Sequence, residues 1–144
     1  MAYATLQDLI DRFGAEELIQ RTDRTNLPPT TIDATVVAAA IADAEALVDS
    51  YLAKAYRLPL AEVSPVLTRT TADVARYHLL GEVAAKDTPA ARAYDQAIAW
   101  LRDVARGVVA LVQPSTDAPP TQSGAAVRTS GPARVMSRDN LRGL

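Results

Sequence analysis

Residues 33–56 read DATVVAAAIADAEALVDSYLAKAY, and this stretch decides the fold. Val37, Ala40, Ile41, Ala44, Val48, Tyr51, Leu52 and Ala55 recur at spacings of three and four. That spacing lines them along one face of an α-helix running from about Asp33 to Tyr56. The opposite side holds Ala39, Ala42, Ala46 and Ala53, flanked by Asp43 and Asp49. An outward helix face more commonly carries Lys and Glu. Two readings stand side by side. The small residues form a second packing surface for another subunit, or they serve helix propensity alone.

Helices are also expected on both sides of this one. Upstream, Thr5 precedes Asp8, Leu9 and Ile10, a capping pattern that starts a short helix ending near Phe13 with Gly14 as its stop. A second short helix spans Ala15 to about Thr22. Glu16 and Glu17 lie in its first turn, where carboxylates suit the positive end of the helix dipole. Asp23 to Thr30 contains Pro28 and Pro29 and is expected to be a polar loop.

Downstream, Leu58-Pro59-Leu60 breaks the long helix. Ser64-Pro65 opens another, with serine as cap and proline where its missing N–H costs little. Leu67, Thr70, Val74, Tyr77, His78 and Leu80 mark its inward face. It is expected to reach about Lys86 and to be ended by Thr88-Pro89. The last helix is placed from about Ala90 to Leu111, with Tyr94, Ala97, Ile98, Leu101, Val104, Ala105, Val108 and Leu111 as its stripe. Trp100 lies beside that stripe, and Gly107 weakens the last turns. The predicted architecture is all-α: two short N-terminal helices and three long ones in a small bundle over residues 1–113.

Composition changes from Pro114 onward. Pro114, Pro119, Pro120 and Pro132, with several Gly, Ser and Thr, oppose a packed helix. Residues 114–144 are expected to form an extended interaction arm that orders on meeting a surface. Fully stretched, it spans on the order of 100 Å at ~3.3 Å per residue, so it can touch a neighbour. The formal net charge of -2 hides an asymmetry. The arm carries four arginines against two aspartates, while the body has 11 basic and 15 acidic residues. A basic arm on an acidic body suits contact between neighbouring copies, although a merely solvated arm has the same charge.

Several functions are excluded or disfavoured. The chain has no cysteine, which removes disulfides, thiolate catalysis and cysteine-containing zinc sites. The longest apolar run, Val36 to Ala42, is far short of the ~20 residues that span a bilayer, so no membrane association is expected. No basic region followed by an apolar stretch opens the chain, so no secretory signal is expected. His78 is the single histidine and is expected to be packed rather than metal-bound. Glu16 and Glu17 diverge on a helix, and Asp43 and Asp49 do not converge, so neither pair suits acid–base chemistry. There is no nucleophile elbow and no Gly-rich loop after a strand. The expectation is a non-enzymatic protein without cofactor or metal that works by docking to other subunits. No helix carries a basic face: Arg102 and Arg106 are four apart with Asp103 between them. A small helical DNA-binding regulator is therefore the second choice.

In the arm, Arg134, Arg138 and Arg142 alternate with Val135, Met136, Leu141 and Leu144. Such a segment can anchor apolar groups while its guanidiniums pair with carboxylates.

Four stretches together resemble the Mu-like phage head–tail connector, or adaptor, proteins, a family long carried as a domain of unknown function. They are Met1 to Thr5 with Asp8-Leu9-Ile10 and Phe13-Gly14, then Asp43 to Leu52 followed by Tyr56 to Leu60, then Asp73 to Leu80, and last Arg134 to Leu144. The chain departs at Met136, where the family commonly has an aromatic, and at Ala55, where a basic residue is common. The resemblance implies a structural virion protein of the neck region, assembled in the bacterial host cytoplasm. It implies a ring, usually of twelve copies, that sits below the portal protein and joins capsid to tail. The partners implied are the portal protein, neighbouring copies and tail-side neck proteins. The genome would pass through the ring without sequence-specific binding. A neck or tail-completion role is the alternative within this class. Arg134, Val135, Met136, Arg138, Asp139 and Leu141 are carried over as an interface arm. The residue pattern itself adds Arg142 to that arm and offers Ala39, Ala42, Ala46 and Ala53 as a lateral face.

Overall fold

Five α-helices and no strand are found among residues 2–81 and 88–111, the part of the chain that the computed structural model describes. They are α1 Leu6–Phe13, α2 Ala15–Thr22, α3 Ala34–Leu52, α4 Pro65–Leu80 and α5 Pro89–Ala105. The chain is all-α and forms a small bundle, as its periodicity predicts.

The helix starts follow local chemistry. Thr5 accepts from the Asp8 N–H while the Asp8 carboxylate accepts from the Thr5 N–H, a complete capping box. Gly14 takes φ 85, a backbone shape that L side chains rarely adopt, and turns the chain from α1 directly into α2. Asp33 caps α3 by accepting from the Thr35 and Val36 N–H groups. Ser64 caps α4 with Pro65 in the first turn. Thr88 caps α5 in the same way with Pro89 next. Thr88-Pro89 therefore starts a helix, whereas the sequence suggests it ends the one before.

Three helix ends differ from expectation. α3 stops at Leu52, and the Ala55 and Tyr56 N–H groups both donate to the Leu52 carbonyl in a closing turn. α4 stops at Leu80, short of Lys86, with Gly81 as its cap. α5 stops at Ala105 and not at Leu111. Gly107 at φ 75 turns the backbone, so Val108 points outward at 73% exposure while Leu111 is buried.

α4 is the hub of the bundle. It packs against α3, α5, α1 and α2, whereas α1 and α2 pack against each other and against α3 and α4 but not against α5. A helix covered on so many sides buries more than one stripe. Leu67, Thr70, Thr71, Ala72, Val74 and Ala75 are all buried. Thr70 and Thr71 tolerate this because their hydroxyls donate to the Val66 and Leu67 carbonyls at 2.8 and 2.9 Å.

The core has two lobes. One gathers Leu9, Leu18, Val37, Ile41, Ala44, Val74 and Ala97 where the short helices meet the long ones. The other gathers Val48, Leu52, Leu60, Leu67, Ile98, Leu101 and Val104 at the opposite end. Fully burying each such Leu, Ile or Val contributes roughly 1.5–3 kcal/mol relative to exposure.

Candidate interaction surface

The face of α3 turned away from α4 and α5 is built from small residues. Ala39, Ala42, Ala46 and Ala53 are all exposed, as are Ala38 just before them and Ser50 between Ala46 and Ala53. Asp43 is the one exposed charge between Ala34 and Ala53. The buried side of the same helix, with Val37, Ala40, Ile41, Ala44, Val48 and Leu52, fixes which way the alanines point.

One flank of this face is occupied by the N-terminus. Tyr3 is 5% exposed, its N–H donates to Glu45 Oε1 at 2.6 Å, and its hydroxyl donates to Asp49 Oδ1. Burial raises the Tyr3 pKa, helped by the hydrogen bond to Asp49 and by the charges of Asp49 and Glu45. Asp49, expected as a solvated flank, thus serves to dock residues 2–4 along α3. The surface left open on α3 is correspondingly poor in charge.

The end nearest the short helices carries a different set of groups. Arg76 forms two hydrogen bonds with Glu17 and lies over the Phe13 ring at 4.6 Å from its centroid. Glu17 is therefore a structural anchor, while Glu16 is exposed, and the two do not act as a pair. Asp73 on α4 is pushed up by burial, against the opposing pull of Arg69, Arg12 and Arg76. The 23–31 loop is organised around one carboxylate. Asp23 accepts from the backbone N–H groups of Thr25, Asn26, Thr30 and Thr31, at 2.9 to 3.1 Å. These bonds, with that from the Asn26 side chain, hold its carboxyl well below the usual range.

At the far end two clefts open. Lys54 from the turn after α3 lines one cleft with Arg102 of α5 and Arg106, the cap that follows α5, beside Ser50, Tyr51 and Ala105. Cations there suit the negative ends of α3 and α5, and Arg106 also approaches Asp103 at 3.8 Å. The sequence places Arg102 and Arg106 on one helix, but only the tertiary fold adds Lys54. The second cleft is apolar and lies between the start of α4 and the segment that follows α5.

His78 is half-buried in the last turn of α4, its ring tilted against Tyr94 at 6.4 Å. Tyr94 itself stacks on Tyr77 at 4.2 Å. Among the described residues, no group of three or more His, Cys, Asp or Glu is placed to hold a metal ion, and no helix is long and apolar enough to cross a membrane. Arg134, Val135, Met136, Arg138, Asp139, Leu141 and Arg142, with the rest of the arm 114–144, lie outside the described residues.

The family described as "Bacteriophage Mu, Gp36" matches residues 3–129. The "Mu-like prophage FluMu protein gp36" of Haemophilus influenzae is 32% identical over 144 residues, covering 99% of this chain and 97% of that protein. The match takes in the capped α1, the alanine-faced α3 and the hub helix α4 alike, and it bears out the resemblance to Mu-like phage proteins: the chain belongs to the bacteriophage Mu Gp36 family.

Proposed function

We propose that this protein is a head–tail connector subunit, a structural virion component that forms a ring below the portal and joins capsid to tail. The observation that carries the reading is the exposed face of α3. Ala39, Ala42, Ala46 and Ala53 leave a long, smooth helix surface with one exposed charge. Small residues let a neighbouring backbone approach closely, and the low charge keeps the desolvation cost of that approach small. A ring subunit needs such a lateral face in addition to its core. Membership of a phage family supports the setting.

The C-terminal arm supplies the second contact. Arg134, Arg138 and Arg142 pair with carboxylates while Val135, Met136 and Leu141 anchor in apolar pockets of the portal or of the next copy. The partners are thus the portal protein, further copies of this chain and tail-side neck proteins. The genome passes through the ring without sequence-specific contact. Lys54, Arg102 and Arg106 supply only three cations at this cleft, and Asp103 already offsets part of their charge.

The test is to mix the purified protein with its cognate portal complex and image the product by electron microscopy. A ring of added density on the tail-facing side is expected. Absence of binding, with both components folded, would remove the connector assignment. Deleting residues 132–144 is expected to abolish ring-bearing, tail-attached particles, and their persistence would remove the arm from the mechanism.

A further inference from the structure

An apolar cleft lies at the foot of the bundle. Its walls are Pro65 and Val66 from the first turn of α4, Trp100 from α5, and Val109 and Leu111 from the segment after Gly107, with Glu62 on the rim. Its volume is about 380 Å³. Val66 is 52% exposed and Trp100 is half-buried, so two large apolar side chains face solvent here.

Leu111 is both a wall of this cleft and the last described residue, so everything from position 112 to 144 sets out from its edge. That remainder contains the apolar residues Val135, Met136 and Leu141, separated from Leu111 by residues 112–133. A random-coil chain of that length has a root-mean-square span of roughly 25 Å. It holds the far segment at an effective concentration on the order of millimolar around its own starting point. A partner at micromolar concentration meets the cleft far less often. The segment also brings basic charge to a rim whose charged group is Glu62.

We propose that Val135 and Met136 of the same chain occupy this cleft in the free subunit, so that the arm is held against its own body until assembly. The inference rests on reading residues 134–142 as an interaction segment. It adds where that segment resides before it meets a partner. In the ring, the same apolar residues are handed on and the cleft is released.

The chain lacks cysteine, so thiols can be placed cleanly. Val66→Cys combined with Met136→Cys is expected to close an intramolecular disulfide under mild oxidation. It should do so about ten-fold faster or more than Val108→Cys with Met136→Cys, whose first thiol is exposed and lies three residues from Leu111 but is not a wall of the cleft. Equal rates would overturn the proposal. Disulfide-linked dimers as the main product would also overturn it and assign the cleft to a second copy. A cysteine-free check uses Trp100, the single tryptophan. Val135→Asp with Met136→Asp in the full chain is expected to red-shift Trp100 emission and increase its quenching by acrylamide, and unchanged emission and quenching would count against the proposal. The two readings fail separately. Fast cross-linking in a protein that ignores the portal removes the connector role alone, and slow cross-linking in a protein that binds the portal removes the cleft assignment alone.

Discussion

Arg76 on α4 grips Glu17 on α2, 59 positions away in the chain, through two hydrogen bonds of 2.7 and 2.8 Å. The guanidinium simultaneously covers the Phe13 ring of α1. One side chain thus ties both short helices to the hub of the bundle. Both partners are partly screened, at 24% and 29% side-chain exposure, so the pair is stronger than a surface ion pair. A double-mutant cycle with Glu17→Gln and Arg76→Lys is expected to give a coupling of about 1–2 kcal/mol in denaturant unfolding. Arg76→Lys loses the two-pronged geometry and much of the stacking on Phe13, so it is expected to behave more like Arg76→Ala than like wild type.

Tyr3→Phe removes the hydroxyl that Asp49 accepts from, 46 positions along the chain. The expected cost is about 1–2 kcal/mol, since a hydrogen bond to a carboxylate is lost while the ring stays packed. The pH dependence has a definite sign. The folded-state pKa of Tyr3 lies above its unfolded value, so its contribution is complete below about pH 10 and declines as pH rises beyond that. Alkaline unfolding curves of wild type and Tyr3→Phe are expected to converge; parallel curves would show that the hydroxyl is not the cause.

Asp23→Ala is expected to loosen residues 23–31, because one carboxylate satisfies the backbone N–H groups of Thr25, Asn26, Thr30 and Thr31. Hydrogen exchange at Asn26, Thr30 and Thr31 should accelerate, while exchange within α3 and α4 stays near wild type. The depressed carboxyl pKa means the contribution is present above the usual carboxylate range near pH 4 and fades as pH falls below it. Asp23→Asn keeps an acceptor and should retain part of the protection.

Ala42→Glu and Ala46→Glu add bulk and charge to exposed helix positions. Changes at such sites are normally within ~0.5 kcal/mol of neutral for the isolated fold. Thermal unfolding of the free protein is therefore expected to shift little, whereas ring formation on the portal is lost. Normal rings from either variant would take the back of α3 out of the interface.

Much of the fold is legible because its signals are local. Thr5 and Asp8, Asp33, and Ser64-Pro65 each satisfy orphan N–H groups within three or four residues, so a short window contains the whole interaction. Thr88-Pro89 shows the limit of that window. The same pair can follow one helix or open the next, and only the capping bond to the Ala91 N–H decides between them. Thr71, Ala72 and Ala75 escape a single-stripe pattern because α4 is enclosed on several sides, which depends on where four other helices lie. Tyr3 precedes the first helix, so no periodicity signals its burial. The exposure of Ala39, Ala42, Ala46 and Ala53 is legible from the stripe opposite them. The convergence of Lys54 with Arg102, and of Val66 with Trp100, is set by tertiary packing and has no counterpart in sequence spacing.

The Leu111 N–H donates to the Tyr56 hydroxyl at 2.8 Å, joining the segment after α5 to the turn after α3. This bond, with the buried Leu111 side chain beside it, sets the point at which traction on the C-terminal segment enters the body. Without it, a pull would unzip α5 from its last turn, one hydrogen bond at a time. With it, the load passes first to Tyr56 and so to the end of α3, and Leu111 must be sheared out of the core before α5 can peel. A subunit tethered by its C-terminus thus meets mechanical strain with a whole cross-section of the bundle rather than with the frayed end of one helix.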